Sequence, residues 1–597
     1  MDSPKKYDVP IAVKQYSNIK SSARHITTAN FMEYSIARCK ELPKGTTYKF
    51  DMRTTVRLKP MQSPTFGNIE IHNRAFFVPF RLVMPGFNDF DNDTPYFGMT
   101  GNPIRIPNAH RLDNALFVQL FVKSEMSSVV PSSERAQAIA DETFDFIRYN
   151  GSDPIPYRFT SLGRYAYKIL RQLGYGVYFN GTATKGSGPY SSALPLLCWM
   201  RPFFDWYFPS MYVDDSRANF LRRWFNVTPS GASSFTQSIS ADDLLLIFQE
   251  LRRVSYDTDY YTGVWDNPVA PNSGSFSSIS APDVTQDITQ RVLTTDSNGT
   301  PVLGGSSISQ YGLDLLKSVS DFMHRNQIAG ARTIDRFMAR FGSAPISAKI
   351  LRSQYVAEYV GPVRVGDVTS TANSDGTPLG GYAGKGFGIA EQNTFVNYTA
   401  DEAGMLIVIS TIVPEPIYYQ GVDRHTLHLN MLDFYHPEFD NKGVQAMSTR
   451  EVFMPTGLLD TSDQGISAID FDNSVFGFVP RYAEYKVEPS QITGDIALGS
   501  KNVGMEGWTL GRDLTSYFDG VPYADVVHTQ SFVDGLDASQ YNRIFDYFGD
   551  DEDKFIVEHQ FLIDNRFPGA PLYDGYEYDT SGKAPTVSID VNGVRAN

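Results

Sequence analysis

The residues best equipped for chemistry lie late in the chain. His425, His428 and His436, with Glu438 and Asp440, come closest to a metal-ligand set. Transition-metal ligands must converge from one side. On a strand, His425 and His428 would face opposite sides, which makes them poor co-ligands. The run Asp550, Asp551, Glu552 and Asp553 offers oxygen ligands for calcium. It lacks the glycine-pivoted spacing of a dedicated loop, so a solvated turn is the plainer reading. Gly384-Lys385 invites a phosphate-loop reading and fails it. Leu379 stands where the first glycine should be, and Gly386 replaces the Ser or Thr that would hold magnesium. No Gly-x-Ser-x-Gly elbow or dinucleotide fingerprint occurs. The expectation is therefore a chain with no catalytic set, no cofactor and no metal, whose chemistry is that of surfaces.

Two kinds of surface residue stand out. The first is cationic. Lys5, Lys6, Lys14, Lys20 and Arg24 dominate the opening segment against Asp2 and Asp8, and Arg53 and Arg57 recur farther on. An extended arm of this kind can touch phosphates, clamp a neighbouring subunit, or simply be solvated. The second kind is aromatic. Phe203, Phe204, Trp206, Tyr207, Phe208 and Tyr212 crowd one stretch. Such rings can stack on bases, fill a core, or form a subunit interface.

The elements that must position these residues follow from periodicity. Residues 47–58 alternate, with Phe50, Met52, Val56 and Leu58 on one parity and Lys49, Asp51, Arg53, Thr55 and Arg57 on the other. That is a strand with one wet face. Pro60, Pro64 and Gly67 punctuate a connection to a second strand. It carries Ile69, Ile71, Ala75 and Phe77 inward, with Glu70, His72 and Arg74 outward, and ends at Pro79. The local reading pairs these two strands antiparallel. Helices are expected over 114–124, 133–147, 161–173, 241–252 (with Ser240 as N-cap) and as a pair in 312–341. Strands return at 405–409, 420–434, 475–487 and 554–563. The Gly-rich stretch 369–388 reads as a loop.

Bulk numbers narrow the class. With 42% apolar and 20% charged residues over 597 positions, the chain is globular. A net charge of −15 disfavours coating of nucleic acid by the whole surface, though not by a local patch. Cys39 and Cys198, the two cysteines, rule out a disulfide framework and fit a reducing origin. No secretory signal and no membrane span are expected. The boundaries fall as an arm (1–45), first strands (46–90), helical and loop insertions (91–400), closing strands (401–567) and a polar tail (568–597). Within the insertions, 269–309 is rich in Ser, Gly, Asn, Thr and Asp. Loops of that length are usually functional or disordered.

Several blocks, in one order, resemble the microvirus major capsid protein family, nearest its gokushovirus-like branch. The first is Phe76-Phe77-Val78-Pro79-x-Arg81-Leu82. Next come Leu251-Arg252-Arg253, Asp259-Tyr260-Tyr261-Thr262 and Trp265 with Pro268, then Gly330-Ala331-Arg332-Thr333 and Arg340-Phe341-Gly342. The most specific is Gln420-Gly421-Val422-Asp423-Arg424, followed by Asp433-Phe434-Tyr435-His436-Pro437-Glu438-Phe439 and Gly443-x-Gln445. Phe476-Gly477-Phe478 and Arg481-Tyr482-Ala483-Glu484-Tyr485-Lys486, with Pro489-Ser490, close the series. Arg340 stands where the family has histidine.

The resemblance implies a mainly β fold: an eight-stranded antiparallel jelly roll of the viral capsid type, with long, partly helical insertions between strands. It implies a T=1 shell of sixty copies around a circular single-stranded DNA genome, in a virion assembled in the bacterial cytoplasm. Implied partners are a small basic internal protein, a pilot or minor capsid protein, a scaffolding protein and a host surface receptor. On this reading Lys5, Lys6, Lys14, Lys20, Arg24, Arg53 and Arg57 are DNA-contact candidates. The 203–212 aromatics are interface candidates. The 269–309 loop (Val269, Asn272, Asp283, Asn298, Ser309) would face the host near a threefold axis. A carbohydrate-binding or carbohydrate-active β-sandwich, with aromatics lining a sugar groove, is the alternative.

Overall fold

The computed structural model describes residues 16–61, 65–83, 111–113, 146–150, 153–157, 159–175, 190–208, 239, 241–265, 294–295, 301–302, 338, 341–342, 352–369, 382–429, 431–440, 444–454, 474–498, 506–518, 526–547, 549 and 552–568. Its centre is one antiparallel sheet of eight strands. These are β1 (Tyr16–Ala29), β2 (Ser35–Leu42), β3 (Thr47–Leu58), β4 (Ile69–Pro79), β5 (Gln354–Thr369), β6 (Tyr382–Thr399), β7 (Gly404–Pro414) and β8 (Phe555–Pro568). The spatial order is β1-β8-β3-β6-β5-β4-β7-β2. The two end strands, β1 and β2, are neighbours in sequence, joined through residues 30–34. A short connection between opposite edges forces the sheet to curl over, so it nearly closes on itself as a jelly roll does.

β3 has the expected span and phase: Tyr48, Phe50, Met52, Val56 and Leu58 are buried, and Lys49, Arg53 and Arg57 exposed. Its partner differs from the local reading. β3 lies between β8 and β6, and β4 lies between β5 and β7. The β5–β6 pair stands between the two strands read as neighbours. The connection from Lys59 to Asn68, broken by prolines, is too long to enforce a tight hairpin. β4 is buried on both faces, which explains its apolar run. Phe77 joins the sandwich interior with Phe50, Leu406 and Phe561. Phe76 and Val78 join a second core shared with the helices. His72, expected outward, is buried there too.

Other expectations shift. Residues 16–29 and 35–42, read as part of an arm, are strands. β1 hides its period because its inward positions are Ser17, Ile19, Ser21, Ala23, His25 and Thr27. The stretch 382–388, read as loop, belongs to β6. Residues 420–434 form no strand but short 3-10 turns at Arg424–Leu427 and Met431–Asp433. Gly421 there lies flush against another chain segment, and a Cβ would sit 1.9 Å from the Glu451 carbonyl oxygen. Val475–Pro480 is a strand paired with Val444–Ser448, but the expected continuation ends in the turn Ala483–Tyr485. The expected helices at 114–124 and 312–337, and most of 133–147, lie outside the described residues.

Three helices pack on the outer side of β4, β7 and β2: α1 (Ser161–Gln172), α2 (Leu194–Pro202) and α3 (Ala241–Glu250). α1 has the expected stripe of Tyr165, Ala166, Ile169 and Leu170. Thr160 caps it by accepting the Gly163 N–H at 3.0 Å, and Gly174 ends it at φ +92°. Its Lys168 ammonium donates to Glu33 at 2.5 Å and to Asp553 at 3.0 Å. The insertion is thereby tied to the β1–β2 connection and to the start of β8. Asp553, read as part of a solvated turn, is a member of this buried network.

Candidate functional site

The sheet brings four of the seven DNA-contact candidates together. Lys20 and Arg24 are exposed on β1, and Arg53 and Arg57 on β3, with β8 between. The register is direct. Arg24, Gln560 and Arg53 form one row across the three strands, and Lys20, Asp564 and Lys49 form another. Alternation sends all these side chains to the same outer face. Arg24 pairs with Glu558. Hydrogen bonds from Arg24 and Gln560, then the charges of Arg24 and Arg57, hold the Glu558 carboxyl below the usual range. The face is thus a mixed field in which cations predominate. Lys5, Lys6 and Lys14 lie outside the described residues.

The aromatic candidates divide otherwise. Phe203–Tyr207 is a single π-helical turn continuing α2. Phe203 and Tyr207 each lie 5.1 Å from Tyr34, and Phe208 is buried with them. Phe204 and Trp206 pack against the same core. The Trp206 indole N–H donates to the Ser353 carbonyl at 3.1 Å, and the Arg352 guanidinium stacks 4.1 Å above its ring. Below them, the buried Asp205 carboxylate accepts from Arg201 at 2.9 Å and from the Ser353 N–H at 2.7 Å. Phe203, Tyr207 and Phe208 belong to the subunit's own core at the junction of sheet and helices, while Phe204 and Trp206 are partly buried against it. Ring density alone cannot tell a core from an interface. Tyr212 lies outside the described residues, as do Val269, Asn272, Asp283, Asn298 and Ser309. Within the 269–309 stretch, Thr294–Thr295 pairs with Pro301–Val302.

Two clefts adjoin the turn-rich region. One, of about 320 Å³, is bordered by Glu70, His72, Asp259 and Tyr418. The other, of about 590 Å³, is bordered by Tyr260, Arg424, His428, Glu451 and Glu484. Burial pushes the Glu451 carboxyl up, and Arg424 opposes that. A raised carboxyl in a cleft can signal an acid catalyst. Here both oxygens are engaged: Oε1 accepts from Arg424 at 2.9 Å and from the Ser448 N–H at 3.0 Å, and Oε2 from Tyr260 at 3.1 Å. The Ser448 contact is half of a capping box on Thr449–Val452. Glu451 is therefore a structural strut. His425 lies on a 3-10 turn and His428 just beyond it, while His436 approaches the Met431 carbonyl at 3.1 Å.

A second titratable pair is buried in the sheet. His25 and His559 stack across β1 and β8 at 5.9 Å, and His559 Nδ1 lies 3.0 Å from the Thr54 hydroxyl on β3. Desolvation first, then the charge of His25, lowers His559 to about 3. Desolvation also lowers His25, aided by Arg38.

The sequence matches the model of the family described as capsid protein (F protein) over residues 266–562. The capsid protein VP1 of Chlamydia phage 1 is 21% identical over 561 residues, covering 85% of this chain and 89% of that protein. The capsid protein VP1 of Spiroplasma virus 4 is 25% identical over 193 residues, about a third of each chain. The capsid protein VP1 of Bdellovibrio phage phiMH2K is 23% identical over 209 residues. The jelly-roll sheet and this ordered set of matches make the chain similar to the phage capsid proteins, whose matched members are structural proteins of the virus coat by their names.

Proposed function

We propose that sixty copies of this chain close into a T=1 icosahedral shell around a circular single-stranded DNA genome. The observation that carries the reading is the nearly closed eight-stranded antiparallel sheet in a chain similar to phage capsid proteins over most of its length. Electron microscopy of the purified chain tests it. Closed particles of one diameter holding nuclease-protected DNA are expected; soluble monomers alone would refute it.

Charge dictates how the genome is held. Sixty chains at −15 each carry about −900, the same sign as DNA. Screening over roughly 8 Å leaves only nearby groups to act. The inner wall must gather its cations locally or recruit a small basic internal protein. The local cations are those of the β1–β8–β3 face with Lys5, Lys6 and Lys14 upstream. Replacing Arg53 and Arg57 with Gln is expected to lower the slope of log affinity against log salt for single-stranded DNA by about 1.4, two phosphate contacts' worth. An unchanged slope would remove the face from the genome contact. Replacing Lys5, Lys6, Lys14, Lys20 and Arg24 with Gln separates two roles for that segment: empty intact shells mean genome contact, fragile shells with normal packaging mean a clamp between subunits.

Assembly in the bacterial cytoplasm, with scaffolding and pilot or minor capsid proteins, completes the reading. The 269–309 loop is assigned to the host receptor. Deleting it is expected to spare particles and abolish adsorption; blocked assembly would contradict the assignment.

A further inference from the structure

With Phe203, Tyr207 and Phe208 buried inside the subunit, a shell needs further contacts, and one surface fits. Leu429, Met431, Phe434, Tyr435, Phe439 and Tyr485 are all exposed, Leu429 by 85% and Met431 by 78%. They come from two turn-rich stretches, 424–440 and 481–487, that lie side by side. Summed over those six side chains, the exposed area is on the order of 650 Å², close to the roughly 800 Å² that each partner contributes to a standard stable interface. A monomer has no use for so large an apolar patch.

The patch is also held rigid. Tyr482, itself buried, sits in the left-handed region at φ +61°. Its hydroxyl accepts the His436 N–H at 3.2 Å, and its ring lies 5.0 Å from Tyr435 and 6.0 Å from Tyr485. The Arg481 guanidinium covers Phe439 at 4.7 Å. Lys486 bridges to Asp440 at 2.7 Å, tying one stretch to the other. Rings fixed before contact lose little entropy on binding, which is how binding hot spots are built. Charge points to the occupant. Copies at −15 repel one another. They can meet where the surface is apolar and where Arg424, Arg481 and Lys486 stand among acids.

We propose that this patch is a subunit–subunit contact whose occupant is a second copy of this chain. The proposal rests on the shell reading, so the test begins with wild-type particles: if none form, the shell reading has failed. Given particles, the variant Leu429→Asp/Met431→Asp is expected to yield subunits with unchanged circular dichroism and at least tenfold fewer particles. Wild-type particle yield would overturn the proposal. Single-cysteine labelling covers the case in which that variant fails to fold. Burial pushes the Cys39 thiol up to about 12 and raises Cys198 as well, so neither competes for maleimide. Leu429→Cys is expected to label in dissociated subunits and at least tenfold more slowly in intact particles. A bifunctional cross-linker from Cys at that position is expected to give twice the chain mass. Equal labelling in both states, or a cross-link to a different protein, would overturn it.

Discussion

Lys168→Met is expected to destabilise the subunit by about 3–5 kcal/mol, the cost of leaving a buried charge without its partner. Lys168 pairs with Glu33, which is 3% exposed, and also with Asp553. Desolvation raises the Glu33 carboxyl, opposed by Lys168. Desolvation also works to raise Asp553, but the charge and hydrogen bond of Lys168 and the bond from Thr28 outweigh it, and its net shift is down. Methionine keeps the length of the stem and removes only the charge. The thermal midpoint of dissociated subunits should fall by several degrees, and Glu33→Gln in the same chain should recover much of the loss. The pH dependence has a definite sign. A carboxyl whose folded pKa lies above its unfolded value is stabilised by protonation in the fold. Without Lys168 the Glu33 pKa rises further, so the penalty of the variant should shrink as pH falls toward it. A penalty constant from pH 8 to pH 5 would show that Glu33 is not the group left stranded.

Acidification from pH 7 to pH 4.5 is expected to be nearly as costly to the wild type. His559 and His528 are 1% exposed and are lowered, chiefly by desolvation, to about 3 and about 4. The groups facing His559 and His25 do not reverse this: the charge of His25 disfavours a proton on His559, Thr54 is neutral, and on His25 the backbone hydrogen bond with Ala37 opposes burial and Arg38 without overcoming them. A histidine with a depressed folded pKa takes up its proton on unfolding first. Its stabilisation is whole above its unfolded value near 6.5 and drains away as pH falls toward the folded pKa. At about 1.4 kcal/mol per pH unit for each, two such histidines over two units come to roughly 5 kcal/mol. Glu33, Asp259 and Glu451, whose carboxyls are raised, act in the opposite sense. His559→Gln should flatten the curve of midpoint against pH by one proton's worth. A wild-type midpoint that does not move between pH 7 and pH 4.5 would falsify the assignment.

How much was legible in the sequence can be traced to particular residues. β3 and the stripe of α1 were readable because large apolar side chains mark every inward position. β1 was not, since its inward face is mostly Ser, Ala, His and Thr, and small polar residues carry no hydrophobic period. The order of strands was hidden because β5 and β6 arrive nearly three hundred residues after the strands they separate. Of the site, Arg53 and Arg57 were visible as charges alternating with core residues. The patch around Met431 was misread as a strand because apolar residues in sequence suggest burial. In the single subunit these residues are exposed.

The position of β8 has a consequence for synthesis. This strand, completed at Pro568, is inserted between β1 and β3, which are made more than five hundred residues earlier. Until the ribosome has delivered it, both older strands present open hydrogen-bonding edges and the sandwich cannot shut. Closure depends on contacts of extreme sequence separation, which makes it slow. A chain truncated before residue 555 therefore cannot complete the fold. The strand that completes the sheet is thus the last of the eight to be made, and every earlier nascent chain carries the sandwich unsealed.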